Sequence, residues 1–192
     1  MNKSRLEAFS DGVLAIIITI MILEIKVPEN NTFESLKPLI PVILSYVLSF
    51  TYVGIYWNNH HHMFQAVKKV NGQVLWGNLF LLFWLSLIPF GTSWMGSQHF
   101  AAVPMSVYGF ILLMSGFSYT ILYDKIIKLE GKDSVLYQAV GNDKKGKISM
   151  ICYILGIAVA FVSPWISGLL YTAVALVWII PDRRIEKQIN KN

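Results

Sequence analysis

The chain has 192 residues, of which 55% are hydrophobic and 14% are charged, and its mean hydropathy is +0.53. Soluble domains usually carry about a quarter charged residues, so this composition excludes an ordinary soluble protein and indicates an integral membrane protein. The net charge of +5 therefore needs no nucleic-acid partner to explain it, and none is expected. A single cysteine, Cys152, excludes an internal disulfide and a paired-cysteine metal or redox motif.

Four runs without charged residues divide the chain into predicted membrane helices, since one crossing needs about 20 mainly apolar residues. The runs cover residues 12–23, 38–67, 70–123 and 148–181. The third run breaks between residues 96 and 99, and the fourth breaks at Pro164, because proline removes a backbone donor and clashes with the preceding turn. The pattern predicts one all-α domain over residues 1–192 with six transmembrane helices, at roughly 5–26, 36–64, 73–95, 103–128, 147–163 and 165–181.

The basic residues fall mainly on one side of this predicted arrangement. Lys26 and Lys37 alone lie on the other side, out of 16 Lys and Arg residues. Because positive residues concentrate in cytoplasmic segments, we predict a multi-pass protein of the cell membrane with both termini in the cytoplasm. The residues on the predicted cytoplasmic side are Lys3, Arg5, Lys68, Lys69, Lys125, Lys128, Lys132, Lys144, Lys145, Lys147, Arg183, Arg184, Lys187 and Lys191.

The first predicted helix is unusual because ionisable residues lie at or inside the membrane boundary. Its charge-free run, residues 12–23, rises only about 18 Å, against a hydrocarbon core about 30 Å thick. Asp11 lies about 140° around the helix from Ile16 and is expected, with Ser10, to face neighbouring helices. The opposite stripe has Thr19 at its edge and comprises Phe9, Ile16, Ile20, Leu23 and Val27. Spacing alone favours packing over pore lining for such a stripe.

The second predicted helix ends in a polar cluster with Trp57 and three adjacent histidines, residues 60–62. Successive residues on a helix point about 100° apart, so these histidines cannot all face one ion. No HExxH pattern is present, and His99 is expected on the other side of the membrane, which disfavours a haem site. We therefore predict no metal and no cofactor. The cluster is expected to hydrogen-bond to the first helix, where histidine titration would make it pH-sensitive.

Three functions compete for a small membrane protein of this kind. Secondary transporters usually combine paired repeats with broken helices and a charge near the midplane, whereas the middle of every predicted span is uncharged. An enzyme would need a second set of ligands or a nucleophile paired with a base, and the sequence offers neither. We predict a passive channel that has no enzymatic activity, with a secondary or proton-coupled cation transporter as the alternative.

Two motifs resemble those of the transmembrane protein 175 family, the lysosomal potassium channels of animals and their prokaryotic relatives. The first-helix signature Arg-x-x-x-Phe-Ser-Asp is matched by Arg5, Phe9, Ser10 and Asp11. The second-helix pattern Trp-x-x-His-His-x-x-Phe is matched by Trp57, His60, His61 and Phe64, and Asn78 and Pro89 fit the third helix. The resemblance covers the whole chain. Animal members carry two six-helix repeats, whereas this chain has one, like the prokaryotic members.

The resemblance implies a homotetrameric, potassium-permeable cation channel whose first helices surround a central pore. Ile16 would form the narrowest hydrophobic ring, a hydrophobic gate, with Ile20 and Leu23 as further layers and Thr19 near the ion path. Residues of structural importance would be Arg5, Phe9, Ser10, Asp11, Trp57, His60 and His61. Such channels lack the Thr-Val-Gly-Tyr-Gly filter, as this sequence does, and are only modestly selective for potassium. The expected partners are further copies of the chain, the lipid bilayer, and potassium and other monovalent cations.

Overall fold

The computed structural model describes residues 2–131, 133–140 and 143–180, and its secondary structure is helical throughout these ranges. Within the described residues the elements are α1 (Lys3–Leu23), a 3-10 helix (Phe33–Leu39), α2 (Ile40–Gln65), α3 (Gly72–Ser86), α4 (Ile88–Ser97), α5 (Ala102–Glu130), α6 (Val135–Val140), α7 (Lys144–Val159) and α8 (Pro164–Ile179).

Several of these helices are able to cross a membrane. By length and composition, four stretches of the described chain qualify: Lys3–Leu23, Phe33–Gln65, Gly72–Ser97 and Ala102–Glu130. The apolar helix α8 is shorter, with 16 residues, and α7 has the same length. Each of these two rises about 24 Å, somewhat less than the hydrocarbon core of a typical bilayer.

Turns and prolines set the helix boundaries. α4 ends at Ser97, within the segment where the sequence predicts a break, and His99 and Phe100 adopt positive φ angles of 51° and 60° in the turn that follows. α8 begins at Pro164, directly after the extended Ser163. Proline is well suited to the first position of a helix because its missing N–H has no partner there.

Three segments differ from the sequence-based expectation. The helix predicted at 73–95 is interrupted at Leu87, between α3 and α4, because Pro89 has no N–H to donate and its ring crowds the carbonyl one turn earlier. The start of the second predicted helix is a 3-10 helix that contains Pro38. The loop expected after α5 includes the short α6. The end of the last predicted helix, residue 181, lies outside the described residues.

Contacts at the helix ends show how the helices alternate in direction. The Lys3 ammonium donates to the carbonyl oxygens of Phe64 and Val67, at 2.8 and 3.1 Å, so α1 begins where α2 ends. The Glu130 carboxylate accepts hydrogen bonds from the backbone N–H groups of Lys68 and Lys69, both at 2.9 Å, so α5 ends beside the turn between α2 and α3.

The second half of the bundle continues this alternation. α7 runs antiparallel to α5, with Ile157 beside Gly109 and Tyr153 beside Gly116. The Lys145 ammonium at the start of α7 donates to the carbonyl oxygen of Ile180, just beyond α8, at 3.1 Å. The first and last described helices therefore have their outer termini at one end of the bundle. We call this the basic end, because its described residues include Lys3, Arg5, Lys68, Lys69, Lys125, Lys128, Lys144, Lys145 and Lys147.

Buried side chains form two clusters, one for each half of the bundle. The first is aliphatic and joins the buried side of α1 to α2, α3, α4 and α5. The second centres on tyrosines, among them Tyr52, Tyr153 and Tyr171, between α2, α5, α7 and α8. The Tyr52 hydroxyl donates to the carbonyl oxygen of Tyr171 at 2.6 Å. This second cluster leaves α1 at the margin of the protomer, where it packs mainly on α2, α3 and α4.

Candidate functional site

α1 buries one face in the bundle and leaves another uncovered. The buried face repeats every three or four residues, as one side of an α-helix must, and its members are each at most 3% exposed: Leu6, Ser10, Leu14, Ile17 and Met21. All but Ser10 are apolar, so burial of their side chains provides most of the energy that holds this helix in place.

The uncovered side of α1 carries the stripe that the sequence predicts. Ile16 is 59% exposed, whereas the adjacent Ile17 is 3% exposed, so these two isoleucines have opposite environments. We use the term open face for the exposed residues Phe9, Ile16, Thr19, Ile20 and Leu23. The Thr19 hydroxyl donates to the carbonyl oxygen of Ile16 at 2.8 Å. Its proton is thereby occupied, and its oxygen retains lone pairs that can meet a cation.

A buried hydrogen-bonded chain fixes α1 to α2 and α3 near the basic end. His60 Nε2 lies 2.8 Å from Asn78 Oδ1, Asn78 Nδ2 donates to Ser10 Oγ at 2.9 Å, and Ser10 Oγ donates to the Leu6 carbonyl oxygen at 2.9 Å. The side-chain NH2 of Asn78 donates to Ser10, so the oxygen Oδ1 is the atom that faces His60. An amide oxygen can only accept, and His60 therefore carries a proton on Nε2. The three side chains are at most 3% exposed. We call them the buried anchor.

A second, exposed contact lies beside the buried anchor. The indole Nε1 of Trp57 donates to Asp11 Oδ1 at 3.1 Å, and the Trp57 ring stacks on His61 with centroids 6.2 Å apart. Asp11 thus faces α2, as its angular position on the helix predicts. Trp57 is 49% exposed, so this bond lies at the protein surface.

The remaining predicted residues of the motif have different surroundings. The Arg5 side chain is exposed and makes no hydrogen bond or ion pair with any residue that the structure describes. His61 Nε2 lies 2.9 Å from the side-chain amide of Gln65, while His62 Nδ1 is buried without a partner among the described residues. The three adjacent histidines therefore diverge. Across the described ranges, no group of three His, Cys, Asp or Glu side chains is placed to hold a metal ion.

The other end of α1 is held independently of the basic end. Glu24 Oε2 accepts a hydrogen bond from Ser93 Oγ of α4 at 2.8 Å, and the Thr92 hydroxyl lies 3.8 Å from the Met21 sulfur. The axial distance from Ser10 to Glu24 is about 21 Å. α1 is thus tied to its own bundle at two levels, and the open face lies mostly between them.

Two residues that position α1 are absent from the sites predicted from sequence. Asn78 is central to the buried anchor, and the sequence offered two signals for it: its fit to the third helix of the family, and its amide within the apolar run of α3. Lys3 joins the beginning of α1 to the carbonyl oxygens at the end of α2. Cations are favoured at helix C-termini, but spacing along the sequence cannot show which terminus a distant lysine reaches.

Comparison with known proteins places these features in a family. The family model described as the endosomal/lysosomal potassium channel TMEM175 matches residues 5–89, which include both motifs and the buried anchor. A potassium channel of Chryseobacterium sp. (strain P1-3) is 58% identical over 192 residues, covering 100% of each chain. An endosomal/lysosomal proton channel TMEM175 of Danio rerio is 36% identical over 101 residues, which are 46% of this chain and 19% of that protein.

A solved structure agrees with the sequence comparison. The crystal structure of a lysosomal potassium-selective channel TMEM175 homologue from Chamaesiphon minutus superposes with a TM-score of 0.81 at 30% sequence identity. The match covers 94% of this chain and 97% of that chain. The shared architecture spans both halves of the bundle, and the matched family and relatives are ion channels, so this is a multi-pass membrane protein of the ion-channel class and not an enzyme. The chain belongs to the TMEM175 family of channels, as its first-helix and second-helix motifs predict.

Proposed function

We propose that this protein is a potassium-permeable cation channel formed by four copies of the chain, with the open faces of the four α1 helices lining a central pore. Conduction is passive, and potassium is moderately preferred over sodium. The observation that carries this proposal is the open face itself. It is an apolar stripe on a helix that is tied to its own bundle at both levels and still leaves Ile16 and Leu23 59% and 80% exposed. The names of the bacterial relatives support the permeant ion.

The proposed pore controls ions through hydration. Four copies of Ile16 around an axis would form a ring that offers no ligand to replace water, so an ion passes only at least partly hydrated. Hydrophobic constrictions of this kind gate by losing water. Potassium holds its water less tightly than sodium, so the ring favours potassium modestly. Thr19 contributes an oxygen beside the ring, and Ile20 and Leu23 form further apolar layers.

The proposed topology has six crossings, with both termini in the cytoplasm of a cell-membrane protein. The crossings are α1, the 3-10 helix with α2, α3 with α4, α5, α7 and α8. The basic end, to which both the first and last described helices lead, supports this orientation because positive residues favour the cytoplasmic side. Lys132 and the four basic residues of the tail, Arg183, Arg184, Lys187 and Lys191, lie outside the described residues.

The deciding experiment is planar-bilayer recording of the purified protein under opposed potassium and sodium gradients. We expect unitary currents and a reversal potential displaced toward the potassium equilibrium potential. A proton gradient at symmetrical potassium tests proton permeation, which the name of the Danio rerio relative raises as a second candidate. Absence of unitary currents, with flux that depends on a coupling ion, would replace the channel with a transporter.

Substitutions at adjacent isoleucines test the pore face. Ile16→Asn should wet the ring, raise the current and bring the potassium-to-sodium permeability ratio closer to one, and Ile16→Phe should narrow or close the ring. The matched control is Ile17→Asn, which introduces the same polar group about 100° around the helix, where the structure buries it. It should lower stability without changing selectivity. The opposite pattern would place the pore on the other side of α1.

A further inference from the structure

An open groove runs between α3 and α5 at the basic end of the bundle. Its volume is about 560 Å³, and we call it the α3–α5 groove. Asn71, Gly72 and Gln73 line it at the beginning of α3, and the other lining residues are Trp76, Gly77, Phe80, Ile121 and Lys125. Gly77 allows α3 and α5 to approach closely, because a Cβ there would already lie 3.4 Å from the Leu122 Cα atom. The groove therefore has a backbone floor and side-chain walls.

Lys125 is the charged wall of this groove. Its side chain is half-buried, and its ammonium makes no hydrogen bond or ion pair with any residue in the described part of the chain. The nearby Glu130 carboxylate is already engaged by the backbone N–H groups of Lys68 and Lys69. Asp124 is exposed and lies about 100° around α5 from Lys125. The Lys125 ammonium is therefore available to an anion from outside the protomer.

The aromatic walls indicate which kind of anion is suitable. Trp76 is 75% exposed although it belongs to a helical stretch that is apolar enough to cross a membrane. It lies about one turn from the start of α3, which is the depth at which tryptophan marks the boundary between headgroups and hydrocarbon. Phe80 and Ile121 continue the groove toward the hydrocarbon. A single ligand that meets both Lys125 and these walls must be anionic at one end and apolar at the other.

We propose that the α3–α5 groove binds a phospholipid with a net negative headgroup. Its phosphate pairs with the Lys125 ammonium near residues 71–73, and one acyl chain lies along Trp76, Phe80 and Ile121. Basic pockets between membrane helices recognise anionic headgroups in this way. A zwitterionic lipid would fit the same apolar walls, but its own cation would compete for the phosphate. The site therefore distinguishes lipids by headgroup charge.

Native mass spectrometry of the detergent-purified full chain tests the proposal with two lipids of identical acyl chains, a phosphatidylglycerol and a phosphatidylcholine. We expect the wild type to retain phosphatidylglycerol at a concentration about fivefold lower than phosphatidylcholine, as one lysine contact near an anionic membrane surface would give. Lys125→Gln should abolish this preference, and Lys125→Arg should keep it. The matched control is Lys128→Gln, which removes the same charge from an exposed position one turn further along α5.

A second variant distinguishes the lipid from a free phosphate. Ile121→Trp should fill the apolar part of the groove and weaken retention of both lipids, while leaving Lys125 in place. Equal retention of the two lipids by the wild type, or an unchanged preference in Lys125→Gln, would overturn the site. Displacement of phosphatidylglycerol by an equal concentration of glycerol phosphate would show that only the headgroup binds, and would overturn the lipid as the occupant.

Discussion

At the scale of single residues, α1 shows two kinds of polar contact that differ in their energetic consequence. The buried anchor joins three helices through side chains that water does not reach, so each member depends on the others for its hydrogen bonds. Removal of one member of such a chain leaves a buried donor or acceptor unpaired. The contact between Trp57 and Asp11 is exposed, so water can replace either partner.

Asn78→Ala should therefore lower the free energy of unfolding by about 1–3 kcal/mol, because it leaves His60 Nε2 and Ser10 Oγ without their buried partner. The measurement is unfolding in mixed micelles by titration with sodium dodecyl sulfate. Asn58→Ala is the matched control, since Asn58 has no hydrogen bond to a described side chain and is only half-buried. An equal loss in both variants would show that the Asn78 hydrogen bonds contribute nothing specific.

Asp11→Ala should have a smaller effect on the stability of the protomer than Asn78→Ala, because the Trp57 indole can bond to water after the carboxylate is removed. Asp11→Asn keeps an acceptor oxygen at the same position and should resemble the wild type in the same unfolding measurement. If both Asp11 variants assemble normally and lose their preference for cations, then Asp11 belongs to the ion path and its assignment to α2 contact is incomplete.

At the scale of helices, features that depend on local sequence patterns could be predicted, whereas contacts between residues far apart in the chain could not. The period of 3.6 residues is a local property, so it identified correctly that Ile16 and Ser10 lie on different sides of α1. The partner of Ser10 is Asn78, 68 positions away, and no spacing within α1 could identify it. The helix break before Pro89 is a different case, because proline itself is a signal for such a break in the sequence. The apolar run continues on both sides of Pro89 and hid the helix break there, whereas at Pro164 the backbone chemistry of proline predicted one.

Glycines at helix contacts support a stability prediction for the second half of the bundle. Tyr171 of α8 lies against Gly109 of α5 and Gly156 of α7, and a Cβ at either glycine would overlap the tyrosine side chain. Gly156→Ala should lower the free energy of unfolding by about 1–3 kcal/mol through overpacking. Gly54→Ala is the control, since nothing lies within 4 Å of its added Cβ, and alanine favours a helix by up to about 1 kcal/mol. Similar stability of the two variants would contradict the close packing.

At the scale of the whole molecule, the two halves of the bundle have different tasks. The tyrosine cluster makes α5, α7 and α8 a packed support behind α2, while α1 is held by a few polar contacts and one apolar face. α2 and α5 belong to both halves: Val53 and Leu122 pack in the aliphatic cluster, and Tyr52 and Tyr108 pack in the tyrosine cluster. Displacement of the second half can therefore reach α1 directly through α2, or through α5 by way of α3 and α4, on which α1 also packs.

At the scale of the whole molecule, the distribution of basic residues predicts the orientation in the membrane, and cysteine labelling can test it. The basic end holds nine Lys and Arg residues of the described chain, and Lys26 and Lys37 lie beyond the other end of α1, before α2.

In a Cys152→Ser background, a cysteine at Asn31 should react with a membrane-impermeant thiol reagent added to intact cells. A cysteine at Asp143, beside the start of α7, should react only after the cells are permeabilised. Asn31 is exposed, whereas Asp143 is half-buried and its side chain accepts a hydrogen bond from the Gly146 N–H at the start of α7, so labelling of Asp143→Cys in permeabilised cells is the reference for its reactivity. Labelling of Asp143→Cys alone in intact cells would reverse the orientation, and labelling of both would exclude an arrangement in which the α1–α2 connection and the start of α7 lie on opposite sides.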